Sequence, residues 1–503
     1  MRKRLGLVTV LLVGWMALNP ADSPGGKPMS TILIPSPDSP LVDFRIEFRV
    51  GSIHERGGQE GLNCLTASTV AGGGTESLGY QEVLEAFYPM ATDVSVQAGK
   101  EVTVFVATVH RDHLEAFWDL FSALLVTPRF DEADFNRMKD IQLNYLRNVL
   151  RSTDDEELGK EALESFIFEG HPYGHSVYGT VRAVESLTLD DVRAFYRTEY
   201  TRDRVTIGLA GGYPEDFPKR VREALARLPG GRAKPVIYPR PKSIHGIEVR
   251  LVEKPGTATA VSLGFPIGCR RSSRDFFALF LANSYLGEHR TFKGRLMRHL
   301  RGDRGLNYGD YSYVEYFDEE PGTVYPLTNI PRNQQYFSIW LRPVAHRHAV
   351  FSLRAALREL RRLADVGLTD EEFESTRDFL LGYTKLWGQS MSRRLGYALD
   401  SDFYSIDRDY LGAMDRALRE LTLEDVNNAV WHYLQAANVK VVMVTEDAEA
   451  LKQALVSNAP SPITYEVEKP REILEEDEEI ATYYLDVRDE DVRIIPATEM
   501  FEM

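Results

Sequence analysis

The 503-residue sequence is poor in cysteine and has no excess of basic residues. Its two cysteines, Cys64 and Cys269, lie far apart in the chain. This excludes a disulfide-rich scaffold and a cysteine-rich zinc module, so the fold must be held together by its apolar core. The formal net charge is −16, and an acidic chain does not offer the basic face that binds nucleic acid. We therefore expect no nucleic-acid partner.

The sequence also lacks an apolar run long enough to span a membrane. The apolar stretch near the N-terminus, Leu5 to Leu18, has 14 residues, whereas a spanning helix needs about 20. Three basic residues precede it and small residues follow near Ala21, which is typical of a secretory signal peptide. We expect residues 1–21 to be removed on export, leaving a periplasmic or secreted protein with no stable membrane span. The alternative is an uncleaved membrane anchor.

Two pairs of segments recur along the chain. Residues 187–211 read LTLDDVRAFYRTEYTRDRVTIGLAG, and residues 421–445 read LTLEDVNNAVWHYLQAANVKVVMVT. Each begins with a threonine and acidic residues that can cap a helix, and each ends in a strand pattern. FDEADFNRMKD from Phe130 and LTDEEFESTRD from Leu368 form a second pair of helix starts. The offsets of 234 and 238 residues predict two halves of similar build.

Between the halves lies a segment with the composition of a linker. Residues 228–243, LPGGRAKPVIYPRPKS, are rich in proline, glycine and basic side chains. We therefore place one domain at 27–234 and a second at 235–460. Residues 465–503 hold 14 acidic and 4 basic side chains, and we interpret 461–503 as an acidic, solvated extension.

Strand and helix patterns are mixed within each half. Residues 42–50 alternate apolar and polar side chains, which predicts a strand with one buried face. Residues 101–107 predict another strand, interpreted as a sheet edge, and residues 110–125 have the apolar spacing of a helix. The expected fold class is α+β, with two homologous two-layer domains. Each is a largely antiparallel sheet covered by helices.

The order of motifs in the first half is specific. The motifs follow one another as VGSIHERGGQEGL (50–62), a helix, GGGT (72–75), FNRMKDIQLNYL (135–146) and EGHPYGHSVYGT (169–180). This order resembles the pitrilysin/insulinase family of inverted zinc metallopeptidases, over nearly the whole mature chain. In that family the helix after GL carries His-x-x-Glu-His. The two histidines and a distant glutamate bind zinc, and the glutamate between the histidines is the general base.

The resemblance implies that this chain has lost the zinc site. The first histidine position falls on Cys64, the glutamate on Ala67, the second histidine on Ser68, and the distant glutamate on Tyr145, or on Asn144 if the match slips by one. Neither His-x-x-Glu-His nor His-Glu-x-x-His occurs in the sequence. Zinc needs three good protein donors and the reaction needs a base. We therefore expect no metal or other cofactor in this chain, and no peptide cleavage by it alone.

A second family motif is kept. Residues 286–313 read LGEHRTFKGRLMRHLRGDRGLNYGDYSY, similar to a stretch of family second domains in which an arginine at a helix end precedes GLxY. There the arginine and the tyrosine bind the substrate backbone and the developing oxyanion. The matching residues are Arg301 and Tyr308, although Gly302 stands where the family commonly has glutamate. The alternative is structural, with Arg301 paired to Asp303 or Asp310.

The combination of a lost site and a kept pair suggests a division of labour. Some bacterial members of the family build a four-domain clam-shell from two chains, one with the zinc helix and one with a degenerate first half. The resemblance implies that this chain is half of such a clam-shell, the non-catalytic subunit of a heterodimeric zinc metallopeptidase. Its partner would be a His-x-x-Glu-His subunit, and its substrates peptides or unfolded proteins. The alternatives are a structural or peptide-binding scaffold, and an independent peptidase, for which no site is found.

Overall fold

The computed structural model describes residues 29–231 and 236–503. The expected signal peptide, 1–21, and the domain boundary at 234/235 lie outside the described residues, so both stay predictions. Within the described ranges, no helix combines the length and the apolar character needed to cross a bilayer.

The strands form two sheets, one in each half of the chain. The strands of the first sheet are β1 (Ser30–Pro35), β2 (Leu41–Phe48), β3 (Ser95–Ala98), β4 (Thr103–His110) and β5 (Val205–Gly211). Those of the second sheet are β6 (Ile247–Glu253), β7 (Thr259–Ile267), β8 (Asp310–Tyr313), β9 (Gln335–Val344), β10 (Val439–Thr445) and β11 (Val492–Pro496).

Helices alternate with these strands. Those of the first half are α1 (Leu62–Ala71), α2 (Tyr80–Phe87), α3 (Leu114–Val126), α4 (Glu132–Asn144), α5 (Asp155–Ile167), α6 (Val181–Ser186), α7 (Leu189–Glu199) and α8 (Phe217–Leu225). Those of the second half are α9 (Phe276–Gly287), α10 (Ala349–Val366), α11 (Asp370–Tyr383), α12 (Met391–Tyr404), α13 (Tyr410–Glu420), α14 (Leu423–Tyr433), α15 (Ala448–Ser457) and α16 (Arg471–Ala481). Two π-helical segments, Tyr145–Thr153 and Met297–Gly302, complete the helical elements discussed below.

The two sheets share one topology, which confirms the predicted pair of homologous α+β domains. The first sheet has the order β1-β5-β2-β4-β3 and the second contains β6-β10-β7-β9-β8, followed on the far side of β6 by β11. In both, the first pair is parallel and the next three are antiparallel. The interpretation of residues 101–107 as a sheet edge is wrong, because β4 lies between β2 and the short edge strand β3.

The repeated threonine motifs begin equivalent helices. The hydroxyl of Thr188 accepts a hydrogen bond from the backbone N–H of Asp191, and that of Thr422 accepts one from Asp425, each over 3.2 Å. Each aspartate carboxylate in turn accepts a hydrogen bond from the threonine N–H, so α7 and α14 both start with a capping box. These reciprocal bonds satisfy backbone groups that a helix leaves free, which explains why the same letters recur 234 residues apart.

The two faces of β2 differ in chemistry, and both are buried. Its apolar residues enter the first-half core, as the alternation predicts. On the opposite face, Arg45 donates to Asn329 over 2.6 Å and to the backbone oxygen of Ser392 over 3.1 Å. Glu47 is fully buried, and neither of its carboxylate oxygens has a hydrogen-bond partner among the described residues. This polar face is therefore a contact with the second half of the chain.

The halves exchange helices across their interface. Helix α12 of the second half packs on β1, β2 and β5 of the first sheet, and α5 of the first half packs on β7 and β10 of the second. The approach of α12 is close at Gly208 of β5, where a Cβ atom would lie 2.7 Å from Leu399 Cδ1. Because each sheet is completed by the other half, the halves form one packed unit.

The acidic C-terminal segment is folded, so its interpretation as a solvated extension is wrong. Helix α16 contacts α10, and β11 pairs in parallel with β6. The last residues reach the first half, where the N–H of Val181 donates to the carbonyl of Phe501 over 2.9 Å. Arg151 donates to the carbonyl of Met500 over 2.6 Å and binds the Glu502 carboxylate over 2.9 Å. The chain end therefore joins the two halves.

Phe501→Ala is expected to lower the free energy of unfolding by about 3 kcal/mol. The Phe501 ring is buried in an apolar cluster with Leu146 and Leu150, and truncating a buried phenylalanine leaves a cavity. Thermal or denaturant unfolding followed by circular dichroism measures the loss. The matched control is Met503→Ala, two residues on, where the side chain is 81% exposed. Equal stability of both variants would contradict the docking of the chain end.

Candidate functional site

Helix α1, which carries the three matched motif positions, is fixed at its start by a buried carboxylate. Glu55 accepts hydrogen bonds from the backbone N–H of Asn63 over 2.7 Å and of Gly61 over 3.0 Å. His175 Nε2 lies 2.9 Å from the same carboxylate. The anion at the helix N-terminus satisfies free N–H groups and meets the positive end of the helix dipole. This role of Glu55 was not predicted from the sequence, although VGSIHERGGQEGL shows an acidic residue seven positions before the helix.

The motif positions on α1 offer a poor donor set. Cys64 is buried, and burial, with the nearby charge of Glu55, raises the pKa of its thiol to about 12. Ser68 is half-buried one turn later on the same helix. Ala67 is fully buried in the apolar core. At neutral pH these positions therefore present a protonated thiol, a hydroxyl and a methyl group.

Tyr145, the fourth matched position, completes an aromatic lining instead of a metal shell. Its ring packs on that of Tyr178 with 4.2 Å between centroids, and burial raises the pKa of its phenol. Tyr178 also interacts electrostatically with Cys64, so Tyr145 and Cys64 share Tyr178 as a neighbour. Gln142 of α4 links that helix to the start of α1 and to the loop of Tyr178, because it donates to the carbonyls of Gly61 and Tyr178 over 3.0 and 2.8 Å.

These residues do not fit zinc. A catalytic zinc takes imidazole, carboxylate or thiolate donors, and the positions hold a neutral thiol, a hydroxyl and a neutral phenol that is packed against another ring. The position of the general base is a methyl group in the core. Hydrolysis by metal-activated water therefore has neither its metal shell nor its base at this place.

Across residues 29–231 and 236–503, another cluster has metal-ligand residue types, His299 with Glu359 and Glu476. The two carboxylates already accept hydrogen bonds from guanidinium groups, those of Arg295, Arg304 and Arg358. His299 Nε2 itself lies 2.7 Å from Glu476 Oε2. Positive charge already surrounds the carboxylates, so the cluster is an ion-pair network and a poor site for a cation.

The structure brings Arg301 and Tyr308 together at the surface. Arg301, in the π-helical segment, donates from Nη1 to the Tyr308 carbonyl over 2.9 Å. Its guanidinium lies 4.8 Å from the ring centroid of Phe292 and 5.8 Å from that of Tyr308. The two rings are 65% and 76% exposed. The result is a guanidinium flanked by two open aromatic faces, with the tyrosine hydroxyl available to a ligand.

The structural alternative paired Arg301 with Asp303 or Asp310, but among the described residues Arg301 forms no such ion pair. Asp310 is fully buried at the start of β8 and accepts a hydrogen bond from Asn307 over 2.6 Å. Burial raises the pKa of Asp310 well above its ordinary value, which favours the neutral acid. The hydrogen bond that the structure does give Arg301 goes to a backbone carbonyl. Phe292 was missed by the sequence analysis, where it was one aromatic residue in a long motif.

Two family models match the chain in succession. The model described as "Insulinase (Peptidase family M16)" matches residues 31–181, and "Peptidase M16 inactive domain" matches 186–380. A Bacillus subtilis "Uncharacterized zinc protease YmxG" is 24% identical over 361 residues, 70% of this chain and 81% of that protein. A Helicobacter pylori "Non-peptidase homolog YmxG" is 20% identical over 409 residues, 81% of this chain and 89% of that protein.

Solved structures share the fold. The "peptidase M16 inactive domain" from Pseudomonas fluorescens superposes with a TM-score of 0.72 at 22% identity, over 83% of this chain and 95% of that one. The "periplasmic protease PqqL" from Escherichia coli superposes with a TM-score of 0.63 at 15% identity, over 90% of this chain and 49% of that one. With both domain models matching in order over more than half of its length, this chain belongs to the M16 insulinase family.

Proposed function

We propose that this chain is the non-catalytic subunit of a heterodimeric zinc metallopeptidase. It would help to enclose peptide substrates and to polarise the bond cut at the zinc of a His-x-x-Glu-His partner. The observation that carries the proposal is the contrast between the two halves. The first has a thiol, a methyl, a hydroxyl and a phenol at the motif positions. The second keeps a half-buried Arg301 hydrogen-bonded to Tyr308, which is open to solvent.

The comparisons support the proposal in two ways. One relative carries the name of a non-peptidase homologue. The chain also spans about half of the Escherichia coli periplasmic protease, so a second chain of similar length would be needed to build an equally large enclosure. A peptide or unfolded protein suits such a chamber, because strand edges and backbone-directed donors recognise main chain instead of particular side chains.

A periplasmic or secreted location belongs to the proposal. The basic start, the apolar run of 14 residues and the small residues after it support export. A periplasmic location also agrees with the shared fold, since one structure with this fold is described as a periplasmic protease.

A structural or peptide-binding scaffold is the second candidate. The observation in its favour is the hydrogen bond from Arg301 to the Tyr308 carbonyl. This bond closes the local turn, so Arg301 has a structural role even when no substrate is bound. A scaffold does not need the Tyr308 hydroxyl, which makes that atom the point at which the two functions diverge.

Reconstitution with a partner tests the proposal. The mature chain alone is expected to hold no stoichiometric zinc after dialysis and to cleave no member of a broad peptide library. Co-expressed with a His-x-x-Glu-His protein of the same family from its own genome, it should form a stable pair whose turnover exceeds that of the partner alone. A partner with Gln in place of the motif Glu is the inactive control.

Two results would overturn the proposal. One equivalent of tightly held zinc in the isolated chain would mean that the motif positions are wrongly assigned. Failure of every such partner to bind the chain, or to gain turnover from it, would favour the scaffold function.

A further inference from the structure

The acidic helix α16 is bonded directly to the segment that carries Arg301. Glu476 Oε2 lies 2.7 Å from His299 Nε2 and accepts a hydrogen bond from Arg304 Nη2 over 2.8 Å. Asp477 accepts a second bond from Arg304, from Nε, over 2.7 Å. His299 and Arg304 lie two residues before and three residues after Arg301. The helix therefore holds the chain on both sides of the arginine.

These contacts are buried. His299 is 1% exposed, and the Arg304 side chain is fully buried. A charged hydrogen bond of this kind is strong and directional where water is excluded. Arg304 also donates from Nη1 to the backbone carbonyl of His299 over 2.8 Å, so the guanidinium joins the start of the segment, its end and α16 in one network. Removing one partner leaves a buried charge unpaired.

Outer contacts add to the network. Lys469, just before α16, donates from Nζ to the carbonyl of Asp303, and the hydroxyl of Tyr465 donates to Asp477 Oδ2 over 2.7 Å. The residues that bind the segment thus come from a part of the chain more than 160 positions later. The acidic segment is therefore bonded at several points to residues 299–304, the part of the chain that contains Arg301.

The segment needs such support because its own helix is weak. Met297–Gly302 is π-helical, and it ends at a glycine, a residue that lowers helix stability by about 1 kcal/mol relative to alanine. The Arg301 side chain makes a hydrogen bond to the Tyr308 carbonyl, and its own carbonyl accepts one from the N–H of Gly305 over 2.9 Å, both within the same turn of chain. Short π-helical turns are seldom stable alone and occur often at functional sites. The backbone position of Arg301 is therefore set chiefly by what is bonded to its neighbours.

We propose that the acidic helix α16 positions Arg301, with Glu476 and Asp477 as positioning residues for the composite site. This inference rests on the proposed function, since it gives the C-terminal segment a part in the reaction of the pair. A group that binds the oxyanion must hold its place to within a fraction of an ångström, and a misplacement of about 1 Å costs up to about a hundredfold in rate. The helix fixes the segment by which Arg301 reaches the substrate.

Glu476→Gln in the reconstituted pair is the direct test. The change keeps the shape of the side chain and weakens its bonds to His299 and Arg304. Turnover of a peptide should fall by about tenfold to a hundredfold, with assembly and zinc content unchanged. In an Arg301→Ala background the same change should cause no further loss, because the arginine that it displaces is gone. Such non-additivity is what coupling predicts and general destabilisation does not.

Hydrogen–deuterium exchange supplies a readout that is independent of turnover. Faster exchange is expected in residues 297–308 of Glu476→Gln, and unchanged exchange in Glu478→Gln. Glu478 lies on the same helix and is exposed, so it is the matched control. Should Glu476→Gln fail to fold, Lys469→Ala removes the outer tether alone and should give a smaller change of the same kind.

The outcomes separate the two proposals. If Arg301→Ala and Tyr308→Phe both leave turnover intact, the proposed function fails and this inference with it. Intact turnover in Arg301→Ala alone overturns the positioning role. If Arg301→Ala lowers turnover while Glu476→Gln has no effect, or an effect that adds fully to it, the proposed function stands and the positioning role is overturned. Unchanged exchange in residues 297–308 would overturn it on structural grounds.

Discussion

Tyr308→Phe is expected to lower the turnover of the reconstituted pair by about 10²- to 10³-fold. The variant removes one hydroxyl from a side chain that is 76% exposed, so it should leave folding, zinc content and assembly as they are. A donor aimed at a developing oxyanion stabilises the transition state, and loss of one such donor has an effect of this size. Single-turnover and steady-state measurements with a fluorogenic peptide give kcat and KM separately, and the loss should fall mainly on kcat.

Arg301→Ala should lower turnover by at least as much, because it removes the fixed positive fork. It also removes the bond to the Tyr308 carbonyl, so Tyr308→Phe is the cleaner variant. The matched controls are Arg298→Ala, an exposed arginine one turn earlier on the same segment, and Tyr484→Phe, whose ring is 70% exposed. Both controls should keep the activity of the parent pair. Wild-type turnover in both Tyr308→Phe and Arg301→Ala would end the composite-site proposal in favour of the scaffold.

Glu47→Gln is expected to stabilise the folded chain at alkaline pH. Burial raises the pKa of Glu47 from an ordinary value of 4.5 to about 8, with Asp400 and Asp402 acting in the same direction and Arg49 against it. Between these two pH values the folded protein keeps the proton while the unfolded chain loses it. The free energy of unfolding therefore falls as the pH rises, by about 1.4 kcal/mol for each unit from this group.

Glutamine does not titrate, so the advantage of the variant should grow across this window. It should be small below about pH 4.5 and reach the order of 4 kcal/mol near pH 8. Denaturant unfolding of both proteins from pH 4 to pH 9 measures the difference. Glu76→Gln, at an exposed carboxylate of the same half, should show little change at any pH. A pH-independent difference between Glu47→Gln and the parent would contradict a neutral, buried Glu47.

Local patterns in the sequence predicted the fold class well. The repeated Thr188 and Thr422 motifs begin equivalent helices because their capping bonds form within four residues of chain. The alternation in residues 42–50 gave the buried apolar face of β2 for the same reason, since successive side chains point to opposite faces. The matching topology of the two sheets then confirms what the repeat offsets indicated.

Contacts between distant segments could not be predicted in this way. The polar residues on the other face of β2 look like a solvated face, and only the placement of α12 makes them an interface. The acidic composition of 461–503 predicted a solvated segment. In the structure, however, α16 binds the buried Arg304 and β11 pairs with the edge of β6. The number of charged residues in a segment does not show whether folding brings residues of opposite charge next to it.

The assignment of Cys64, Ala67, Ser68 and Tyr145 to the motif positions stays a prediction from the resemblance; the structure adds that Tyr145 packs on Tyr178. The structure joins Arg301 to the Tyr308 carbonyl, and the catalytic role of this pair stays a prediction. The roles of Glu55 and Phe292 could not be predicted from residue spacing. Glu55 contacts the start of α1, and Phe292 contacts Arg301, only once the intervening chain has folded.

The anchoring of the chain end has a consequence for the order of folding. Strand β11 pairs with β6, and the Phe501 carbonyl accepts a hydrogen bond from the N–H of Val181, so residues 492–501 join segments that lie far earlier in the chain. Contacts between such distant parts of a chain form slowly because closing the long loop costs entropy. Until that moment β6 is an unprotected edge, able to pair with another molecule. Pairing of β11 thus covers that edge, and a variant without residues 492–496 should self-associate more readily through β6.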